Sequence, residues 1–248
     1  MGIISNAHDV MDTIAELTDC TTEAEAVVLV KDVVEMLGAN WFVYTTLLPT
    51  VFGEENESFR YFIGCSPELC KQYSKRMWAM NDPFFDYARS NSAPILGSKI
   101  ILRTPGQVEM MRATAELGFR SGYAVPTHTS MGAGKRMGLL YVGSEEPKEI
   151  AEPQFLRKRV QYGALGTELL LWWNSRLRQQ AMRKYSLLET DVEMLQLSRR
   201  GKVACEIAAI YDIKVNAVYK RLNMIKEKFD VERIDQAIRH AEAEGILQ

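Results

Sequence analysis

Apolar residues recur at helical spacing over residues 7–19 (Val10, Ile14, Leu17) and again over 22–37 (Ala26, Val30, Val33, Val34, Leu37), with Gly38 placed to stop the second run. The pattern predicts two amphipathic helices at the start of the chain. It then changes period. Trp41 to Leu48 is rich in β-branched and aromatic residues and ends at Pro49, and Phe59, Tyr61 and Ile63 alternate after the acidic stretch Glu54 to Glu57, so the pair reads as a hairpin. Pro67 to Trp78, Pro83 to Ser90 and Pro105 to Leu117 each carry a proline near the first turn, and Gly118 closes the last of them; all three read as helices. Two further strands, Gly122 to Thr127 and Met137 to Val142, flank a glycine-bearing turn from Ser130 to Gly134. Strands flanked by helices predict an α/β/α sandwich on an antiparallel sheet, within an α+β chain.

From Pro153 helical spacing continues to about Arg183 through Phe155, Val160, Leu165, Leu169, Leu170, Trp173 and Leu177. Its end loses the apolar stripe and gathers Arg176, Arg178, Arg183 and Lys184 without an acid between them, which places a linker at 176–186. The expected organisation is a ligand domain over 1–175, this linker, and a domain over 187–248 with no proline and the pattern of four short helices. Within 203–229 the positions Ile207, Ala208, Tyr211, Ile213, Val218, Leu222, Ile225 and Phe229 describe two helices joined by a tight turn at Asp212 to Lys214, the helix-turn-helix pattern.

Charge sharpens that reading. Residues 187–248 hold ten Lys and Arg against eleven Asp and Glu, yet 214–228 holds Lys214, Lys220, Arg221, Lys226 and Lys228 against Glu227 alone. Concentrated cations on a second helix are what groove binding to double-stranded DNA requires. A solvated face of an ordinary helical bundle produces the same run, so spacing alone leaves both readings open. Composition excludes other classes. With 47% hydrophobic and 25% charged residues and a net charge of −2, the 248-residue chain is neither disordered nor globally basic. No apolar run reaches a membrane span and the first residues lack a signal-peptide pattern, so the expectation is a cytoplasmic protein with no membrane partner. Cys20, Cys65, Cys70 and Cys205 are too few for a disulfide framework, Cys65 and Cys70 read as reduced core thiols, and His8, His128 and His240 form no zinc spacing, so no metal or cofactor is expected. Gly132-Ala133-Gly134-Lys135-Arg136 lacks the leading glycine and the trailing Ser or Thr of a phosphate loop, and no nucleophile, base and acid set stands out; an enzyme is not expected.

The run Leu187 to Leu195, then Gly201-Lys202 and Glu206-Ile207-Ala208, then Ile213, Val218, Leu222, Ile225, Lys228 and Phe229 resembles the helix-turn-helix of the LuxR class of bacterial transcription regulators. The first half, through Tyr73, Asp82-Pro83, Pro94, Gly118, Gly122 and Pro126, is similar to the autoinducer-binding domain of its quorum-sensing members. The resemblance implies a DNA-binding homodimer, with Lys202, Lys214, Asn216, Ala217, Lys220, Arg221 and Lys226 as candidate DNA contacts. The long helix around Leu169, Leu170, Trp172, Trp173 and Leu177 is the candidate subunit contact. It also implies a pocket for a small signalling molecule, with Cys65, Leu69, Tyr73, Asp82, Phe85 and Tyr141 as candidate lining and Asp82 accepting from a ligand amide.

Departures matter here. Cys65, Leu69 and Gly97 stand where the family's Tyr and two Trp residues would grip an acyl-homoserine lactone, while Lys214, Ala217, Arg221 and Asp191 replace its usual Ser, Thr, His and Glu in the DNA-binding half. Leucine has no donor, so the head-group grip is reduced. The sequence therefore reads as an orphan-type regulator, ligand-independent or answering to a non-standard ligand. A lactone receptor with an altered head-group site is the alternative, and a small-molecule-binding or enzymatic α/β protein with a helical interaction tail is the rival of another class.

Overall fold

A computed structural model describes residues 10–48, 58–129 and 136–247. The expectations that fall on His8, on Glu54 to Glu57 and on the Ser130 to Gly134 turn lie outside the described residues. Residues 10–15 are helical and run into a 3-10 turn, Glu16–Asp19. Helix α1, Glu23–Met36, starts at a capping box in which the Thr22 hydroxyl accepts from the Glu25 N–H and the Glu25 carboxylate accepts from the Thr22 N–H (2.7 to 3.2 Å across these contacts and Thr21). Gly38 ends it at φ 82°, a left-handed backbone that glycine adopts without a Cβ penalty.

Strands β1 (Trp41–Leu48), β2 (Ser58–Gly64), β3 (Ile95–Leu96), β4 (Ser121–His128) and β5 (Met137–Ser144) form one sheet in the order β2-β1-β5-β4-β3. The β1–β5, β4–β5 and β3–β4 pairs are antiparallel, with Val43 opposite Tyr141 and Tyr141 opposite Ala124. Because side chains alternate across a strand, this register puts Tyr141, Leu139, Met137 and Ala124 on one face and Val142, Leu140, Tyr123 and Val125 on the other. The first face meets α2 (Pro67–Lys75), α3 (Pro83–Ser90) and α4 (Pro105–Glu116). The second meets α5 (Lys148–Arg157) and α6 (Arg159–Lys184): Tyr123 packs on Phe155 and Tyr162, whose hydroxyl donates to the Leu37 carbonyl at 3.0 Å. Helices on both faces of an antiparallel sheet make the expected α/β/α sandwich.

Three details differ from the expectations. Helix begins at Lys148 with Pro153 inside it, and it breaks at Lys158, so one long helix is two; Lys158 takes φ −104° and ψ 17°, and its ammonium donates to the Met36 carbonyl at 3.1 Å. The expected linker, 176–186, is helical to Lys184, and the chain turns at Ser186, where φ is 51°. Of the candidate subunit contact, Leu169, Leu170, Trp172 and Trp173 are buried within the chain itself and Leu177 is half-buried, and Trp172 donates its indole N–H to the Cys20 carbonyl at 3.0 Å. Leu171 is the large apolar residue that α6 leaves exposed there.

The described residues fall into two compact units that divide in α6 between Trp172 and Trp173. The second unit holds α7 (Glu189–Arg199), α8 (Ala204–Tyr211), α9 (Val215–Lys228) and α10 (Ile234–Ala243) around Leu195, Ile207, Val218, Ile225 and Ala237. Asp212 turns the chain between α8 and α9 at φ 51°, and Ala208 is buried, its small side chain sharing the core with Val218. Among the described residues no helix is long and apolar enough to cross a membrane.

One buried carboxylate organises this unit. Asp191, fully buried, accepts from the Leu188 N–H at 2.9 Å, from Lys228 Nζ at 2.8 Å and from Arg221 Nε, so α7 and α9 are joined by a charge-assisted network. Burial opposes its ionisation, but these donors outweigh it and hold the carboxyl below its ordinary range. Its stabilising contribution is therefore complete above about pH 4 and is lost as acid protonates the folded carboxyl. Asp191→Ala is expected to cost about 3 kcal/mol, at the low end for a broken buried pair because Arg221 and Lys228 keep access to water. Lys220→Ala, on the exposed side of α9, should stay within about 0.5 kcal/mol. Urea unfolding followed by circular dichroism compares the two, and equal effects would refute the clamp.

Candidate functional site

The apolar face of the sheet under α2, α3 and α4 brings together most of the residues singled out as pocket lining. Helix α2 starts where Ser66 accepts from the Leu69 N–H at 3.4 Å and Pro67 occupies the first turn; Leu69 and Tyr73, four residues apart, share one face. A left-handed Met77 (φ 51°) and the 3-10 turn Trp78–Asn81 then return the chain to Asp82. Asp82 caps α3: its Oδ1 accepts from the Phe84 N–H at 2.8 Å, and its Oδ2 accepts from the Tyr73 hydroxyl at 2.7 Å. The carboxylate is thus cap and interior group together, with only 7% of the residue exposed.

Burial pushes the Asp82 carboxyl up to about 6, against the pull of the Tyr73 and backbone donors. Burial likewise raises the phenol of Tyr141, with Asp82 and Glu152 adding to the effect. Tyr141 lies 4.4 Å from Phe84 and 6.0 Å from Phe119, ring centre to ring centre. Its hydroxyl sits over Gly122, where an added Cβ would be 2.1 Å away, so glycine at 122 is a requirement of space. Gly97 is pressed against the same strand, its missing Cβ 3.3 Å from the Gly122 carbonyl oxygen.

The structure sorts the candidate lining residues. Tyr73 and Tyr141 pack against both apolar groups that meet here, one of Leu69, Trp78, Met110, Ala113 and Phe119, the other built on Phe84, Phe85 and Ala88. Leu69 and Phe85 are core residues of those groups, 6% and 4% exposed. Cys65 packs at the edge of the first, and its Sγ is 3.5 Å from the Sγ of Cys70. Neither thiol is a core thiol; both are half-buried. Tyr87, on α3, donates its hydroxyl to the Ala93 carbonyl at 2.9 Å.

Trp41 was missed. The first residue of β1 stacks on Phe119 at 6.1 Å, in line with Tyr141, and its buried Nε1 has no hydrogen-bond partner among the described residues. A tryptophan opening a strand is unremarkable in sequence; the only available signal was its register, two residues before the position paired with Tyr141.

In the second unit α9 presents Asn216, Tyr219, Lys220 and Asn223 on one exposed stripe at spacings of three and four, with Ala217 beside it and Lys214 exposed at the N-cap. Tyr219 and Asn223 were not among the candidates, because apolar and charge patterns ignore a tyrosine and an amide on the polar side. Arg221 does not join the stripe. Its guanidinium faces Asp191 and donates to the Thr190 hydroxyl at 3.0 Å, which corrects its assignment as an outward contact: the buried carboxylate draws it inward. Lys202 is exposed and paired with Glu206 at 2.8 Å, and Lys226 is half-buried.

Because the folded Asp82 carboxyl binds its proton more tightly than an unfolded one, the stability it contributes is full at acid pH and falls as pH rises through about 6. Asp82→Asn keeps an acceptor for the Phe84 N–H and should remove that component, on the order of 2 kcal/mol between pH 4 and pH 7. Melting curves of both proteins across that range check it; parallel pH profiles would refute the assignment.

Comparison with known proteins fits this geometry. The family model for the autoinducer binding domain matches residues 22–169. No curated protein sequence matches the chain. Among solved structures, SdiA in complex with octanoyl-rac-glycerol superimposes with a TM-score of 0.59 at 15% identity, covering 100% of this chain and 98% of that one. Escherichia coli SdiA in another crystal form gives 0.58 at 17%, covering 96% and 98%. The N-acylhomoserine lactone dependent LuxR family transcription factor CepR2 from Burkholderia cenocepacia gives 0.55 at 18%, covering 70% and 96%. At these identities the structural likeness establishes the fold, whereas the family model spans more than half of the sequence. With its matched stretch ending inside α6, after the whole Asp82 cluster, the chain belongs to the autoinducer-binding domain family.

Proposed function

We propose that this chain is a LuxR-class transcription regulator in which a ligand domain over 1–175 governs a helix-turn-helix domain over 187–248 that binds double-stranded DNA as a homodimer. The observation that carries the reading is the exposed stripe of Asn216, Tyr219, Lys220 and Asn223 on α9, with Lys214 at its N-cap, on a two-helix unit turned by Asp212. Amides and cations on one face of a second helix suit base edges and phosphates of a major groove. One such helix contacts few base pairs, so a twofold pair reading a palindrome supplies the specificity. The burial of Trp172 and Trp173 within the chain supports a subunit contact made elsewhere.

On the ligand side the reading is an orphan-type member. Leu69 is core, Gly97 is closed against β4, and Cys65 offers a thiol where the family has a phenol, so the directed grip on a lactone head is lost. SdiA has been captured with octanoyl-rac-glycerol, an acyl compound without a lactone, which supports a non-lactone acyl ligand here. One observation favours the second reading, a lactone receptor with an altered site: Trp41 Nε1, which has no partner among the described residues, is a donor on the same face as Tyr141.

Two measurements test these readings. For DNA, Lys214→Ala with Lys220→Ala is expected to weaken binding to duplexes selected from a random pool and to lower the slope of log K against log salt by about 0.9 per lost phosphate contact. An unchanged slope would sink the recognition face. Arg221 is excluded from this test because its loss strips Asp191. For the ligand, a panel of acyl-homoserine lactones and acylglycerols is added to the apo protein in thermal melts, where a ligand at 100 times its Kd adds about 2.7 kcal/mol. The orphan reading expects no lactone to shift the midpoint; a lactone shift abolished by Trp41→Phe would establish the second reading in its place.

A further inference from the structure

The two half-buried thiols at the start of α2 have no part in the reading above beyond their bulk. Cys65 Sγ and Cys70 Sγ are 3.5 Å apart, one on the residue before the Ser66 cap and the other in the first full turn of α2. The remaining pair of cysteines, Cys20 and the exposed Cys205, lie elsewhere in the sequence. Van der Waals contact between sulfurs leaves a closure of about 1.5 Å to a bond of about 2.05 Å, a distance that side-chain rotation covers. Both residues retain exposure, so a small polar oxidant reaches them.

We propose that Cys65 and Cys70 are an oxidation site, a dithiol that a peroxide converts into an intramolecular disulfide in the wall of the Asp82 cluster. Burial and the neighbouring sulfur hold the Cys65 thiol protonated, so attack starts from Cys70. The Cys70 thiolate sulfur attacks one peroxide oxygen and the O–O bond breaks, giving a sulfenic acid and, once protonated, one water. The Cys65 sulfur then displaces that oxygen as a second water while its own proton leaves, and the S–S bond forms. Two thiols and hydrogen peroxide thus become one disulfide and two waters, each sulfur giving up one electron. Cys65 packs on the group that contains Leu69 and Trp78 and is touched by Trp41, Tyr73 and Tyr141, so drawing it toward α2 alters the wall of that space. Its bearing on a ligand rests on the proposed function; formation of the bond does not.

The test uses the full chain. No Lys or Arg lies between Tyr61 and Cys70, so one tryptic peptide, Tyr61 to Lys71, carries both thiols. After treatment with hydrogen peroxide and then iodoacetamide, that peptide is expected about 2 Da lighter than its reduced form and unalkylated, with both changes reversed by dithiothreitol. In Cys65→Ser, Cys70 should stop at a sulfenic acid that dimedone traps. Tryptophan emission of the wild type should fall on oxidation and recover on reduction, and Cys70→Ser, with melting behaviour checked in the reduced state, should show no such change. The proposal is overturned if both thiols still alkylate at a peroxide dose that oxidises Cys205, if either is found bonded to another peptide, or if the emission change persists in Cys70→Ser.

Discussion

The ligand-side half of this protein depends on one carboxylate kept out of water. Asp82 ends a left-handed turn and a 3-10 turn, begins α3 and receives the hydroxyl of a tyrosine from α2, so three consecutive elements meet at its two oxygens. An ionised carboxylate without partners would not tolerate such burial. Neutral donors lower that cost without removing it, and the carboxyl remains harder to ionise than usual. The apolar groups built on Phe84 and on Leu69 share Tyr73, and it is the bond to Asp82 that fixes where Tyr73 points.

Asp191 solves the same problem with the opposite outcome. It too is closed off from solvent, yet its partners include two cations, and its carboxyl is held below the ordinary range. The contrast follows from donor charge: an ammonium and a guanidinium favour the anion far more than a phenol and a backbone amide do. The consequence reaches the surface of α9. Of five cations in 214–228, Arg221 and Lys228 turn inward to Asp191, so the field along the exposed stripe comes chiefly from Lys214 and Lys220, helped by the uncharged Asn216, Tyr219 and Asn223.

Much of the fold was legible because local rules and the tertiary structure agree. Gly38 and Gly118 take the positive φ that ends a helix, prolines 67, 83 and 105 sit in first turns, and Ala208 and Val218 fill the core of the turned helix pair. Periodicity could not say which neighbour a buried face meets, so Trp172 and Trp173, apolar in sequence, were read as a subunit surface when their own chain covers them. Charge counting could not reveal that Arg221 answers a carboxylate 30 residues away. The basic stretch at 176–184 reads as a linker, yet Arg178 donates to Glu189 at 2.6 Å and Lys184 to Glu244 at 2.6 Å, so the helix continues on pairings that local composition hides.

The packing around Gly97, Gly122, Tyr141 and Leu69 is linked. Gly97 lies against the Gly122 carbonyl, and Gly122 in turn is bare because the Tyr141 hydroxyl occupies the place of its side chain. A side chain at 97 would start 3.3 Å from the Gly122 carbonyl oxygen, so β4 would have to give by a few tenths of an ångström beside the ring that Phe84 and Phe119 hold. With the aromatic bulk supplied by Tyr141 from within the sheet, Leu69 serves α2 as packing against Trp78 and Phe119. A tryptophan at 69 would therefore meet Trp78 and Phe119 in a group that Tyr141 and Trp41 already pack against, so its indole would have to compete for space that those two rings hold.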